Sequence, residues 1–138
     1  MRTKKTVSTT IPFALIISVA LGAASCLKPA PTSGIITGLE GAVTITDGDG
    51  SARPAALSDV IRKGDIVRTE RRSQAVIEAG PDIIIKVLPD SCINVMELAE
   101  KGNSEISLVE GHVLSKLRKL GKGSEYRVTT RTAVASVR

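Results

Sequence analysis

After residue 40, the chain is built from short apolar runs separated by turn residues. Val43 and Ile45 alternate with polar threonines, and Asp47-Gly-Asp-Gly50 then gives a strong hairpin signal. The same pattern returns along the rest of the chain and predicts strands at 41–46, 66–69, 75–79, 83–88, 91–98, 105–110, 112–117, 126–130 and 133–137. About eight or nine short strands in one small unit indicate an all-β domain, folded as a sandwich, a roll or a barrel.

Aromatic residues are nearly absent from this pattern. Tyr126 is the only one after Phe13, so the core has to be built from aliphatic side chains, and β-branched ones suit a pleated sheet. Nucleic acid and carbohydrate ligands are disfavoured, because there is no aromatic platform on which bases or sugars could stack. The best helical segment, 97–101, is hardly one turn long.

The N-terminus has the features of an export signal. Arg2, Lys4 and Lys5 precede the mostly apolar run Ile11–Ala24, which is shorter than the roughly 20 residues that a membrane span needs. Leu21-Gly-Ala-Ala-Ser-Cys26 resembles a bacterial lipobox, in which the cysteine thiol receives a diacylglyceryl group and becomes the mature N-terminus. We therefore predict a signal peptide over residues 1–25 and lipidation of Cys26.

Two alternatives to lipidation stay open: an ordinary secretory signal cleaved after Ser25, and an uncleaved membrane anchor. All three interpretations place the body of the protein outside the cytoplasm. The Pro-, Ser- and Gly-containing segment 26–37 is predicted to be a flexible tether, and 38–138 to be the β domain. Leu27, directly after the cysteine, favours sorting to the outer membrane.

The positive charge lies mostly outside the middle of the chain. Residues 1–25 hold three of the 19 basic residues and none of the 14 acidic ones, so the net charge falls from +5 to +2 on their removal. The remaining basic residues are concentrated after residue 115. Candidate contacts with an anionic surface are Lys116, Arg118, Lys119, Lys122 and Arg127. The alternative is a solvated face of alternating strands.

Cysteine and histidine give little basis for catalysis. If Cys26 is acylated, Cys92 has no intramolecular partner, so it is expected to be a small buried apolar residue, with an intermolecular disulfide as the alternative. His112 is the only histidine and has no cysteine or carboxylate at metal-ligand spacing. We predict no catalytic residue, no metal site and no cofactor.

Two glycine-rich segments superficially resemble ligand loops. Gly121-Lys-Gly-Ser124 lacks the hydroxyl residue directly after the lysine that a phosphate-binding loop requires. Asp47-Gly-Asp-Gly50 begins like a calcium loop but has Ser58 at the twelfth position, where a glutamate is needed. Both segments are predicted to be hairpin turns.

Four motifs follow one another along the chain. Residues 41–45 are similar to a Gly-x-Val-x-Val motif, and residues 64–69, followed by Ser73 and Ala75, to a Gly-Asp-x-Ile-x-Thr run. Residues 110–113 are similar to Glu-Gly-x-Val, and residues 130–138 to Thr-Pro-Thr-Ala-Val-Ala-x-Val-Arg. In this order the motifs resemble those of the FecR domain family, which includes the periplasmic module of the ferric citrate uptake regulator. The departures are Glu70 for a glycine, Gly80-Pro81-Asp82 for Asp-Gly-Ser, and Arg131 for the proline.

The resemblance implies an all-β envelope domain that takes part in signalling without being an enzyme. In the namesake, the periplasmic domain receives a signal from an outer-membrane transporter and a cytoplasmic segment passes it to a sigma factor. Only about ten residues precede the apolar run here, so we expect the receiving part without the transmitter. The family pattern continues into a further strand after the ending motif, which leaves open a truncated copy or one completed by a partner.

The expected function is therefore binding or scaffolding of another envelope protein, with the membrane engaged through the lipid anchor and no nucleic acid or small-molecule substrate. An exposed last strand could pair with a strand of the partner. The candidate residues of that edge are Thr132, Ala133, Val134, Ala135, Val137 and Arg138. The alternative is a structural surface lipoprotein whose basic C-terminal segment contacts anionic lipid or cell-wall polymer.

Overall fold

A computed structural model describes residues 33–99 and 102–138, and within them the chain is all β. The strands are β1 Ser33–Glu40, β2 Val43–Thr46, β3 Ala52–Pro54, β4 Val60–Arg62, β5 Ile66–Thr69, β6 Gln74–Ala79, β7 Ile83–Val87, β8 Ser91–Glu97, β9 Ser104–Glu110, β10 Val113–Leu117, β11 Tyr126–Thr129 and β12 Val134–Val137. Nothing in the described part of the chain forms a helix long and apolar enough to cross a membrane.

The strands form two sheets. Sheet A has five strands in the order β10-β7-β6-β1-β4, and sheet B has seven in the order β12-β11-β9-β8-β5-β2-β3. Pairing is antiparallel except between β9 and β11, which run parallel. These sheets face each other across one apolar core, so the architecture is a sandwich, one of the three predicted.

Inward-facing aliphatic side chains of both sheets make up the core. Strict alternation along β6 and β7 buries every second residue, as a two-layer sandwich requires. Sheet A contributes Ile36, Ile61, Ala75, Ile77, Ala79, Ile83, Ile85 and Val87, and sheet B contributes Val43, Ile45, Val67, Ile93, Val95, Ile106 and Tyr126, with Leu98 from the segment after β8. Tyr126 is the only aromatic member, so aliphatic packing carries the fold as the composition predicted.

At one end of the sandwich, two corners of the chain are built alike. Gly41 leads from β1 in sheet A to β2 in sheet B, and Gly111 leads from β9 in sheet B to β10 in sheet A. After Gly41, the amide of Ala42 donates to the hydroxyl of Ser73 at 2.9 Å. After Gly111, the amide of His112 donates to the hydroxyl of Ser91, also at 2.9 Å.

Both corner serines stand directly after a turn that crosses between the sheets, from β5 to β6 and from β7 to β8. The Ser73 hydroxyl also donates to the carbonyl of Arg71, and that of Ser91 to the carbonyl of Pro89, two residues earlier in each case. Strand β1 thus corresponds to β9, β2 to β10, β5 to β7, and β6 to β8. The motifs Glu40-Gly-Ala-Val43 and Glu110-Gly-His-Val113 occupy equivalent places, a repeat that the unequal glycine spacing in the sequence did not reveal.

The structure also corrects parts of the sequence-based assignment. Residues 33–37, predicted as part of the tether, are the paired beginning of β1. Two further strands, β3 and β4, bring the number of strands in the described residues to twelve. Within the predicted helical segment 97–101, Glu97 ends β8 and the next two residues are not helical; the remainder lies outside the described residues, as do the signal peptide and Cys26.

The two glycine-rich segments are turns, but of different kinds. Residues 47–50 close the hairpin between β2 and β3, with the amide of Gly50 donating to the carbonyl of Asp47 at 2.8 Å. In the other, the amide of Ser124 donates to the carbonyl of Gly121 at 3.0 Å. This turn connects β10 in sheet A to β11 in sheet B, so the hairpin predicted there is wrong.

Candidate partner-binding edge

The candidate edge depends on β11, which is fixed between the core and its neighbours. Tyr126 at the start of β11 is buried, and its hydroxyl lies 2.6 Å from the hydroxyl of Ser115 on β10. Burial raises the pKa of Tyr126, and the hydrogen bond with Ser115 only partly opposes that rise. This contact places β10, the last strand of sheet A, across from β11.

Sheet B continues one strand further than sheet A. Strand β12 pairs with β11 and, among the described strands, none of sheet A lies beyond β10 to cover it. Every residue from Arg131 to Arg138 is consequently exposed, with Val134 at 64% and Val137 at 49% of their full accessible surface. Both faces of β12 are therefore in solvent, although half of its residues are apolar valines.

The hairpin geometry shows which backbone groups of β12 are free to pair. The amide of Thr130 donates to the carbonyl of Ala133 at 2.8 Å, so these opposing residues form a hydrogen-bonded pair. Because hydrogen-bonded and non-bonded pairs alternate along an antiparallel ladder, Val134 and Ser136 turn their N–H and C=O groups away from β11. These four backbone groups form the outer row of the edge.

The other three edge strands have features that commonly block pairing with a second chain. Strands β3 and β4 are only three residues long, and β3 contains Pro54. Strand β10 carries Lys116. Strand β12 contains no proline and no charged residue between Val134 and Val137. Among the described edges, it is the one best suited to accept another strand.

The predicted basic contacts do not form one surface. Arg127 on β11 pairs with the carboxylates of Glu125, at 3.0 Å, and Glu105, at 3.8 Å. The hydrogen bond between Arg127 and Glu125 raises the pKa of the arginine and lowers that of the glutamate. The positive charge of Arg127 is therefore balanced by two carboxylates on the outer face of sheet B.

The other four basic residues lie on β10 and the loop after it. Lys116 points to the outer face of sheet A, opposite in direction to Ser115, and Arg118 follows at the end of the strand. Lys119 and Lys122 line an open groove of about 500 Å³, together with the β6–β7 turn and Gly121–Ser124. All four side chains are exposed.

Other candidate groups are structural. Cys92 is buried at 3% exposure and unpaired, as predicted for a small apolar residue. His112 is exposed, and its backbone rather than its ring is used at the corner. In the ranges 33–99 and 102–138, no group of three His, Cys, Asp or Glu side chains is arranged to hold a metal ion.

One residue with a structural role was missed by the sequence reasoning. Asp65 is buried between two turns, where its carboxylate accepts hydrogen bonds from the amides of Gly48, at 3.1 Å, and Arg62, at 2.8 Å. Its place after Gly64 in the Gly-Asp motif was the available signal. The motif therefore marks a junction between the two sheets rather than a ligand site.

Comparison with known protein families supports the resemblance seen in the motifs. The family model described as FecR protein matches residues 65–138, more than half of the chain. No curated protein and no solved structure matches the chain significantly. The matched range begins after β4, yet β1 and β2 lie inside the two sheets, so the folded unit extends beyond the match.

FecR proteins are signalling-related regulators associated with the periplasm or cell envelope, and they are not a known enzyme family. This chain belongs to the FecR family.

Proposed function

We propose that this protein is a lipid-anchored, non-enzymatic envelope module that binds another envelope protein by accepting one of its strands along β12. The observation that carries this proposal is the state of β12: an edge strand with two exposed faces and an unblocked outer row of backbone groups. Strand addition uses such a row for affinity and the flanking side chains for specificity.

The exposed valines supply the specificity that a backbone ladder lacks. Val134 shares a face with Thr129, and Val137 shares the opposite face with Tyr126, because residues opposed in register point to the same side of a sheet. A strand added to β12 would therefore place its alternating side chains beside a valine on each face. Burial of each valine would stabilise the complex by at most about 1.5–3 kcal/mol.

The membrane part of the proposal rests on the sequence. The basic start, the short apolar run and Cys26 support lipidation, and the family's envelope association is consistent with it. A non-enzymatic role is supported by the sequence, in which no catalytic motif was found, and by membership of a family of regulators. Such a protein would receive or scaffold a signalling partner at the membrane.

The strand-addition step can be tested by removing only the outward donors. In V134P/S136P, proline eliminates the two N–H groups that point away from β11, and the donors of Ala135 and Val137 toward β11 are kept. At about 1 kcal/mol for each lost hydrogen bond, partner binding should fall by about 30-fold. The measurement is crosslinking and affinity capture from envelopes of cells that produce the full-length protein.

The matched control is V134T/S136T, which changes the same side chains and retains every backbone donor. It should capture the partner with at most a few-fold loss, and capture should persist at high salt, because backbone pairing is little screened. A proline variant that keeps its circular dichroism spectrum and unfolding midpoint, yet captures the same partner in the same yield, would contradict the proposal. Capture that disappears with salt would favour the basic surface instead.

A further inference from the structure

The anchored end of the domain can be identified from strand register. Ser33, the first described residue after the predicted anchor, lies opposite Arg62 at one end of sheet A. The β6–β7 turn and Leu117, at the end of β10, lie at that same end, because Ala79 and Leu117 both oppose Ile83. We call it the Ser33 end. The glycine corners lie at the opposite end.

Lys116, Arg118, Lys119 and Lys122 form a basic corner at the Ser33 end. Their side chains are exposed, and no carboxylate among the residues that the structure describes lies within 4.0 Å of their charged nitrogens. The half-buried Asp82 on the β6–β7 turn also lines the groove, so one carboxylate shares it with Lys119 and Lys122. The corner thus presents a net positive charge to solvent.

Several acidic side chains at the same end have partners outside this corner. Glu125, which lines a neighbouring groove together with Lys122, pairs with Arg127 at 3.0 Å and with Arg138 at 3.7 Å, and Glu97 pairs with Lys63 at 3.0 Å. The β2–β3 turn contains Asp47 and Asp49, but it lies at the opposite edge of sheet B. Asp47 faces Arg53 at 3.6 Å, and Asp49 accepts a hydrogen bond from the amide of Ser51 at 2.8 Å. These carboxylates are therefore engaged by groups other than the four residues of the basic corner.

Chain length brings the basic corner close to the predicted anchor. Six residues, 27–32, separate the acylated cysteine position from β1, and the seven Cα–Cα steps from residue 26 to residue 33 span at most about 25 Å when fully extended. Strand β10 is three strand spacings from β1 in sheet A, about 14 Å. A lipid on Cys26 would hold the basic corner within reach of the headgroups.

We propose that the basic corner docks on anionic headgroups of the membrane that holds Cys26, and this inference rests on the lipid anchor of the proposed function. Each basic residue that lies near an anionic leaflet raises the affinity of the protein for the membrane by about fivefold. This effect fades beyond a Debye length, which is about 10 Å at 0.1 M salt. The opposite end lies a strand length away, about 20 Å, and is outside that range. Docking sets the strands along the membrane normal and leaves the β12 edge accessible from the side.

The test uses the full-length acylated protein on vesicles of phosphatidylcholine, with and without phosphatidylglycerol, that carry a headgroup nitroxide. A fluorophore is attached through a new cysteine, either Gly121→Cys at the Ser33 end or Thr132→Cys at the opposite end; Cys92 is buried and does not compete. On anionic vesicles, the 121 probe should be quenched at least twofold more than the 132 probe. High salt should abolish the difference.

The charge reversal K119E/K122E should remove this difference, whereas the matched reversal R71E/R131E, at the opposite end, should leave it intact. Flotation with neutral vesicles separates the two proposals. If the protein floats but the two probes are quenched equally on anionic vesicles, the docking proposal is overturned and the anchor stands. If it fails to float with neutral vesicles, the anchor fails and the anchored docking fails with it; salt-sensitive binding to anionic vesicles would then show charge attraction without an anchor.

Discussion

Replacing Gly111 with alanine tests whether the glycine–serine corners hold the two sheets together. Gly111 has a φ of +85°, a conformation that alanine adopts with difficulty. A Cβ atom there would lie 2.3 Å from the hydroxyl of Ser91 and 2.5 Å from the backbone carbonyl of Asp90. The carbonyl belongs to a turn that cannot rotate away as a long side chain could, so the corner must shift.

The cost of this substitution can be estimated from its parts. A left-handed conformation costs a residue with a Cβ about 1–2 kcal/mol, offset by about 0.4–1 kcal/mol from a less flexible unfolded chain. Overpacking adds about 1–3 kcal/mol. Movement of Ser91 also weakens the hydrogen bond that it accepts from the His112 amide, which costs about 1 kcal/mol. The expected loss of unfolding free energy is about 3–4 kcal/mol.

Gly50→Ala is a matched control for the backbone part of that cost. Gly50 has a similar φ of +90°, but a Cβ there would meet nothing within 4 Å. Urea unfolding followed by circular dichroism should give a loss of about 1 kcal/mol for G50A and about 3 kcal/mol more for G111A. Equal losses in the two variants would refute the close packing of Gly111 against the Ser91 turn.

Three other predictions concern the core, the first corner and acid stability. Tyr126→Phe keeps the buried ring but removes the 2.6 Å contact with Ser115, so it should lower the unfolding free energy by about 1 kcal/mol, and no change in thermal unfolding would contradict a bond between the sheets. Ser73→Ala should cost about 1–2 kcal/mol because the Ala42 amide loses its acceptor, whereas the exposed Ser51→Ala serves as a control that should change little. The pKa of Asp59 is held below its ordinary value of 3.8, first by the Ala56 amide and then by Arg53, so its stabilisation is present above that pH and is lost as pH falls through the folded-state pKa. Asp59→Asn should therefore flatten the loss of stability below about pH 4, and parallel acid-unfolding curves for wild type and D59N would contradict this coupling.

Local sequence pattern predicted most of the strands but not how they assemble. Short apolar runs between turn residues identified the nine strands that correspond to β2 and β5–β12. Where such a strand lies over the core, as β6 and β7 do, the core takes every second side chain. The parallel pairing of β9 with β11 and the division into two sheets depend on contacts between distant residues. The two Glu-Gly-x-Val corners became comparable only when each was seen against its serine.

Strands β1, β3 and β4 were missed for physical reasons. Strands β3 and β4 have three residues each, too few to show alternation. At the start of β1, Gly34 and the nearby prolines are typical of a linker; a Cβ on Gly34, however, would lie 2.6 Å from Ile77, so here the glycine allows two strands to approach closely. Composition cannot distinguish these two uses of glycine.

The candidate sites were predicted to different extents. The motif at 130–138 led to the last strand, and the structure adds that both its faces are exposed and that Val134 and Ser136 carry the outward groups. The basic residues were grouped by their positions in the sequence. Folding separates Arg127, which is paired with glutamates, from the four residues of the basic corner.

Amide hydrogen exchange at β12 is the most direct measurement of strand addition. In the isolated protein, the amides of Val134 and Ser136 should exchange rapidly, whereas those of Ala135 and Val137, directed to β11, should exchange more slowly. Binding of the captured envelope partner should slow exchange at Val134 and Ser136 by at least tenfold. If the partner binds and these two amides exchange as fast as before, the partner does not pair with β12, and the central proposal is wrong.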